Sequence, residues 1–205
     1  DFYFCQGKRY YNYLKKFFNK KNIYCIGALK PELNKNLPNY KEKKINKFKK
    51  QNILVLCGLN DYKPFIKILN KLDPKKFNFH IASHPLNYNL VVKYFKLNFN
   101  KNFIDVSTIN KKEILKKIDY IIFGDTSLGF ELAIKNYKVI RLYDNNFIPT
   151  FDIDNELPTA TSASELLSIM NKNYFINKRK IEENYFFKYD NKASERLQNV
   201  LKKII

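Results

Sequence analysis

From residue 51 onward the chain alternates between two kinds of apolar pattern. Short runs read as strands: "NILVLCG" (52–58), "FNFHIAS" (77–83), "NFIDVS" (102–107), "DYIIFG" (119–124) and "KVIRLY" (138–143), the first a continuous apolar run ending in Gly, as expected of a parallel strand covered on both faces. Between them the pattern turns helical, over about 62–72, 88–97, 110–117 and 127–136. Asn60 or Asp61 is placed to cap the first of these helices, with Pro64 tolerated in its first turn. "NKKE" (110–113) and "SASE" (162–165) have capping-box spacing, and the second opens a helix to about Asn171. Strands alternating with helices across short loops predict right-handed βαβ units. The fold class is therefore α/β, a Rossmann-like parallel sheet with helices on both faces. Ligands in such sheets sit at the carboxyl ends of the strands. The loops of interest are Gly58–Asp61, His84–Asn87, Gly124–Ser127 and Tyr143–Asn146.

The flanks are less regular. "FYFC" (2–5) and "IYCIGA" (23–28) are strand-like around a helical "KRYYNYLKKFF" (8–18). Residues 30–50 hold two prolines and dense Lys, the pattern of a linker or peripheral segment. Residues 178–205 are helical with a break near Tyr189–Asn191. The chain opens at Asp1, already inside an apolar run, which predicts a piece of a longer protein. On this reading residues 1–45 end a preceding domain and link it onward, 46–175 form the Rossmann-like domain, and 176–205 are C-terminal helices.

Composition changes the picture in three places. With 205 residues and 45% hydrophobic content the chain has material for a core. It has no apolar run near the roughly 20 residues of a spanning helix and no signal-peptide pattern, so a cytoplasmic location is expected. Cys5, Cys25 and Cys57 each sit in an apolar run without a CxxC pair, the pattern of buried free thiols in a reducing compartment. The formal charge of +19 raises a nucleic-acid reading, yet only four of the 38 basic residues are Arg, the preferred fork for bases and phosphates. Basic residues are also absent from 81–92 and 144–171. A solvated Lys coat fits better, so no nucleic-acid partner is expected; attraction to an anionic membrane face stays open.

Two short stretches carry candidate chemistry. In "GDTSLGFE" (124–131) a strand meets a helix, and Thr126 or Ser127 is placed to cap it beside Asp125. The exposed amides and dipole of such a helix start attract an anion, typically a phosphate. Gly129 would let a ligand approach the backbone. Glu131, one turn in, would accept hydrogen bonds from ribose hydroxyls; an ordinary capped helix with a solvated Glu fits the same pattern. In "HIASHP" (80–85), His80 and His84 face the same way along a strand, but no further ligand lies nearby, so no metal is expected. His84 falls at a strand end before Pro85, where a histidine can donate to a phosphate.

These residues resemble the C-terminal, donor-binding half of a GT-B fold glycosyltransferase over about residues 50–175. "ELAIKNYKVI" (131–140) is similar to that family's pattern of a Glu opening a helix, Gly-x-Pro and an apolar strand. Asn136 stands where the pattern has Gly, which suits a left-handed helix end, and Lys138 where it has Pro. The "HP" at 84–85 with the "TS" at 126–127 resembles motifs of bacterial sialyltransferases and related enzymes using CMP-activated acidic sugars. The tail "YFFKYDNKASERLQNVL" is similar to the end of bacterial surface-carbohydrate transferases. The resemblance implies transfer of an acidic, CMP-activated sugar of the sialic acid type to a surface glycan or lipid-linked acceptor, without a metal or other cofactor. It implies His84 as the catalytic group stabilising the leaving phosphate. Gly58, Asn60, His84, Pro85, Asp125, Thr126, Ser127 and Glu131 would hold the nucleotide. The general base would lie in the other GT-B domain. The loops 58–61, 84–90 and 124–131 contain no Lys or Arg, which suits one phosphate better than two, with Arg141 the one nearby candidate for more charge. A CDP-glycerol-type glycerophosphotransferase, a UDP-sugar 2-epimerase and a non-enzymatic basic module binding nucleic acid or membrane are the alternatives.

Overall fold

The computed structural model describes residues 2–28, 37–40, 49–59, 61–143, 156–172, 174, 176–188, 190 and 192–204. The chain separates into two compact units, Asp1–Leu37 with Asn177–Ile205, and Pro38–Ile176. The first and last segments, expected as separate pieces, thus share one unit.

The larger unit is a six-stranded parallel sheet. Its strands are β3 (Gln51–Cys57), β4 (Phe77–Ser83), β5 (Phe103–Asp105), β6 (Tyr120–Phe123), β7 (Val139–Leu142) and β8 (Thr159–Ala160), in the spatial order β5-β4-β3-β6-β7-β8. In β3, β6 and β7 both faces are largely buried, so these strands run mostly apolar without alternation. The helices are α2 (Tyr62–Leu69), α3 (Tyr88–Asn98), α4 (Lys111–Leu115), α5 (Ser127–Ile134) and α6 (Ala163–Asn171). One face carries Ile53, Val55, Phe79, Ile81 and Ile122, packed with Phe65 and Leu69 of α2, Val91 and Phe95 of α3, and Leu166 of α6. On the other, Phe130 of α5 stacks edge-on against Phe123, ring centroids 5.2 Å apart.

Local signals explain the helix ends. Ser162 accepts a hydrogen bond from the Glu165 amide at 3.2 Å, while the Glu165 carboxylate accepts from the Thr161 amide at 2.7 Å, a capping box whose return bond is shifted by one residue. Asn110 caps α4 through the Lys112 amide at 3.0 Å instead of through the Glu113 position. At the end of α5, Asn136 is left-handed (φ 71°), with its amide bonded to the Ala133 carbonyl and the Tyr137 amide to that of Leu132. This is a Schellman motif with Asn in the glycine position, as the sequence predicts.

The smaller unit pairs β1 (Tyr3–Cys5) with β2 (Ile23–Cys25) in parallel, flanked by α1 (Lys8–Leu14). The last segment contributes α7 (Lys178–Ile181), a π-helical turn over Glu182–Phe186 and α8 (Ala193–Ile204). Arg9 donates to the Tyr185 hydroxyl at 2.6 Å, and Arg196 donates to the Ile26 carbonyl at 2.7 Å. A Cβ on Gly7 would collide with the backbone of Asn184, so the two segments meet backbone to backbone there. Of the break expected near 189–191, residues 189 and 191 lie outside the described residues, as does most of the 30–50 stretch. No helix among the described residues is long and apolar enough to cross a membrane.

Candidate functional site

In this strand order the chain moves outward from β3 through β4 to β5, then returns to lay β6 on β3's other side. The sheet's switch point is therefore between β3 and β6, where an open α/β sheet forms its ligand crevice. The loops after Cys57 and Phe123 flank it, and the loop after β4 comes next along the same edge.

Asp61 fills the base of that crevice. It is 1% exposed, and its carboxylate accepts from the Gly58 amide at 2.6 Å and from the Asp125 amide at 3.0 Å. It thus ties the β3 loop to the β6 loop instead of capping α2, for which it makes no side-chain bond. A Cβ on Gly58 or Gly124 would approach its Oδ2 to 2.9 or 2.7 Å, so two glycines leave the space the carboxylate occupies. Burial is the main influence on its acidity and drives the pKa up to about 6, against the lowering effect of the two amides. In the sequence Asp61 is a candidate cap at the end of the Gly58–Asp61 loop, and its bridging role is hidden because its Asp125 partner lies 64 positions away. Its spacing of three from Gly58, at the end of a strand, is the one local signal.

Asp125 is engaged by the scaffold. Its Oδ1 accepts from buried Arg141 at 2.9 Å and from the Tyr143 hydroxyl at 3.0 Å, and Arg141 also donates to the Gly124 carbonyl at 3.3 Å. Arg141 is 1% exposed and lies over the rings of Phe130 and Tyr143. The candidate extra charge for a phosphate is thus buried and paired with Asp125, because a guanidinium in a sheet interior needs a carboxylate partner. Thr126 holds the N-cap position of α5 in extended backbone and makes no side-chain cap bond, and Ser127 is exposed. Glu131 is 3% exposed, so it is not a solvated surface carboxylate. Gly129 serves packing: a Cβ there would collide with the Phe123 ring, so the glycine seats α5 on β6 and not a ligand on the backbone.

The third loop is built by short-range bonds. The Leu86 amide donates to Nδ1 of His84 at 3.2 Å, so in the neutral ring Nε2 carries the proton and is the available donor. His84 is half-buried and Pro85 is exposed. Asn87, buried, donates to the Gly58 and Leu59 carbonyls at 3.0 and 2.8 Å, joining this loop to that of β3. Its Oδ1 has no partner among the described residues. β4 and β6 are separated by β3, so at sheet spacing their ends lie about 10 Å apart. A group reaching from His84 to the start of α5 would pass over Gly58. Asn60 and residues 144–146 lie outside the described residues.

Beyond His84, Ser83, Ser107, Asp105 and Tyr88 form a chain of bonds. The Ser83 and Ser107 hydroxyls are 2.9 Å apart, and Ser107 and Tyr88 donate to Asp105 at 2.7 and 2.8 Å. Burial raises the Asp105 pKa, but the bonds from Ser107 and Tyr88 outweigh it and hold the carboxyl below its ordinary range. His80 is on the sheet, with Nε2 3.2 Å from Asn52; burial chiefly, then the Lys117 charge, lowers its pKa. Among the described residues no three His, Cys, Asp or Glu side chains are grouped to hold a metal ion.

A parallel sheet in this order, helices on both faces and a switch-point crevice closed by strand-end loops define the Rossmann-like half of a GT-B fold. Solved structures of that fold match the chain. The wall teichoic acid polymerase TagF matches at 15% identity and TM-score 0.53, covering 99% of this chain and 57% of that one. MnaA of S. aureus in a co-structure with UDP matches at 13% and 0.57, covering 100% and 59%. The apo lipopolysaccharide outer core galactosyltransferase WaaB matches at 11% and 0.53, covering 100% and 62%. The chain spans less than two thirds of each of these proteins. No family model and no curated protein matches the sequence.

Proposed function

We propose that this chain is the donor-binding part of a GT-B glycosyltransferase that moves an acidic, CMP-activated sugar of the sialic acid type to a bacterial surface glycan or lipid-linked acceptor. The setting is the cytoplasm, at the inner face of its membrane, where the Lys coat meets anionic lipid. One observation supports the reading: the loops after β3 and β6 flank the switch point and that after β4 comes next along the same edge, and their sequences carry no Lys or Arg but include a helix start and an imidazole N–H. That donor set suits one phosphate. His84 Nε2–H and the first amides of α5 would stabilise the charge that develops on phosphate as the sugar leaves. Glu131 would hold the ribose hydroxyls. The acceptor's general base would lie in the other GT-B domain. The likeness to a wall teichoic acid polymerase favours a second reading, a CDP-glycerol-type glycerophosphotransferase using the same crevice.

A thermal-shift panel of CMP, CDP, UDP, GDP and ADP tests both. A nucleotide present at 100 times its Kd and bound only to the folded state stabilises it by about 2.7 kcal/mol. CMP is expected to shift the transition most, and His84→Ala to weaken CMP about 10- to 100-fold, the loss of one hydrogen bond to a charged group. A CDP preference selects the second reading. A UDP preference removes both, and no shift with any nucleotide refutes the donor-binding role.

A further inference from the structure

The smaller unit holds a pair of thiols outside this crevice. Cys5 and Cys25 are register partners on β1 and β2, and their sulfurs are 3.3 Å apart. Cys5 is 5% exposed and stands 3.5 Å from the Tyr24 carbonyl. Cys25 is half-buried and lines a cavity of about 620 Å³. Three cations, Lys8, Arg179 and Lys188, line the same cavity against two carboxylates, Glu182 and Glu183. Glu183 is tied to Arg179 at 3.0 Å. The cavity is of the size that takes small molecules.

The backbone at its wall is strained. Phe187 has φ 60°, and the Lys188 amide donates back to the Phe186 carbonyl at 2.7 Å, closing a γ-turn directly after the π-helical turn. Left-handed γ-turns are rare, and such outliers cluster at functional sites. The two sulfurs are also unlike. The hydrogen bond from Cys5 lowers the Cys25 pKa, while that same contact, then burial, raises that of Cys5.

We propose that Cys25 is a thiol–disulfide exchange site whose substrate is a small-molecule disulfide entering this cavity, with Cys5 as the resolving thiol. The Cys25 thiolate attacks one sulfur of the disulfide, forming a mixed disulfide and releasing the other half as a thiolate. Cys5 gives up its proton to that thiolate or to water and attacks Cys25 Sγ, expelling the second half. Two protein thiols are oxidised and one external disulfide is reduced to two thiols. Neighbouring strands lie about 4.8 Å apart, within the roughly 4.4–6.8 Å that a disulfide spans between Cα atoms. Cys57 is the internal control: it is buried in β3 and its pKa is raised by that burial.

The test treats the reduced chain with excess oxidised glutathione, traps remaining thiols by alkylation and maps the peptides by mass. Expected is a Cys5–Cys25 disulfide, with Cys25 reacting at least about 10-fold faster than Cys57. Cys5→Ser is expected to stop at a glutathione adduct on Cys25, Cys25→Ser to give neither product, and Cys57→Ser to behave as the parent. A parent chain that keeps three free thiols, or takes its first adduct on Cys5 or Cys57, overturns the proposal. The parent measurements decide this even if a serine variant fails to fold.

Discussion

Replacing Asp61 by Asn separates the two roles of its carboxylate, charge and hydrogen-bond acceptor. The side chain is buried and accepts one amide on each oxygen, from Gly58 and from Asp125. Asn keeps one acceptor but turns an NH₂ toward the other amide, so one buried N–H loses its partner, at about 1–3 kcal/mol. Against this stands the cost of ionising Asp61 in place. Burial raises its pKa from 3.8 to about 6, which corresponds to about 3 kcal/mol between the protonation states. Because the folded value lies above the unfolded one, this contribution is fully present below about pH 3.8 and is lost as pH rises through about 6. Near pH 4 the parent should therefore be the more stable by about 1–3 kcal/mol. Near pH 8 the ionisation cost falls on the parent alone, and the variant should match or exceed it. Urea denaturation of both proteins followed by circular dichroism measures the difference, and other titrating groups cancel between them. A difference that stays constant to about 0.5 kcal/mol from pH 4 to pH 8 would refute the account of Asp61 as a titrating bridge.

Two further outcomes test the packing around the crevice. Gly129→Ala should destabilise the larger unit by about 1–3 kcal/mol through overpacking against Phe123, and Phe123→Leu in the same chain should recover part of the loss, measured by denaturant midpoints. Asn136→Gly should stabilise by up to about 1 kcal/mol and Asn136→Val destabilise by about 1–2 kcal/mol, since position 136 is left-handed; equal melting temperatures for both variants would contradict the Schellman ending.

β3, β6 and β7 were legible because they are largely buried on both faces and run mostly apolar. β4 spans Phe77–Ser83, the bounds its sequence predicts, and the left-handed Asn136 followed from its standing where the resembled GT-B pattern has Gly. Features made by distant partners were not legible. Arg141 looks like spare charge until β7 is laid beside β6, which brings it to Asp125. Gly129 suggests ligand access until Phe123 is seen against it, and Asp61 reads as a cap until Asp125 is its neighbour. β8 is two residues long and carries no periodicity of its own. The union of the first and last segments rests on pairs such as Arg9 with Tyr185, which no window along the sequence contains.

That union sets an order of events during synthesis. Arg9 leaves the ribosome 176 positions ahead of the tyrosine it binds. At about 5–20 residues per second the wait is roughly 10 to 35 s, far longer than a small domain needs to fold. The described strands of the parallel sheet are all made by residue 160, and the sheet is free to form while residues 2–28 still lack their partners from the last segment. During that interval β1, β2 and the apolar side chains beside them are exposed to chaperones and proteases, and a ribosome stalled before residue 177 would leave them so.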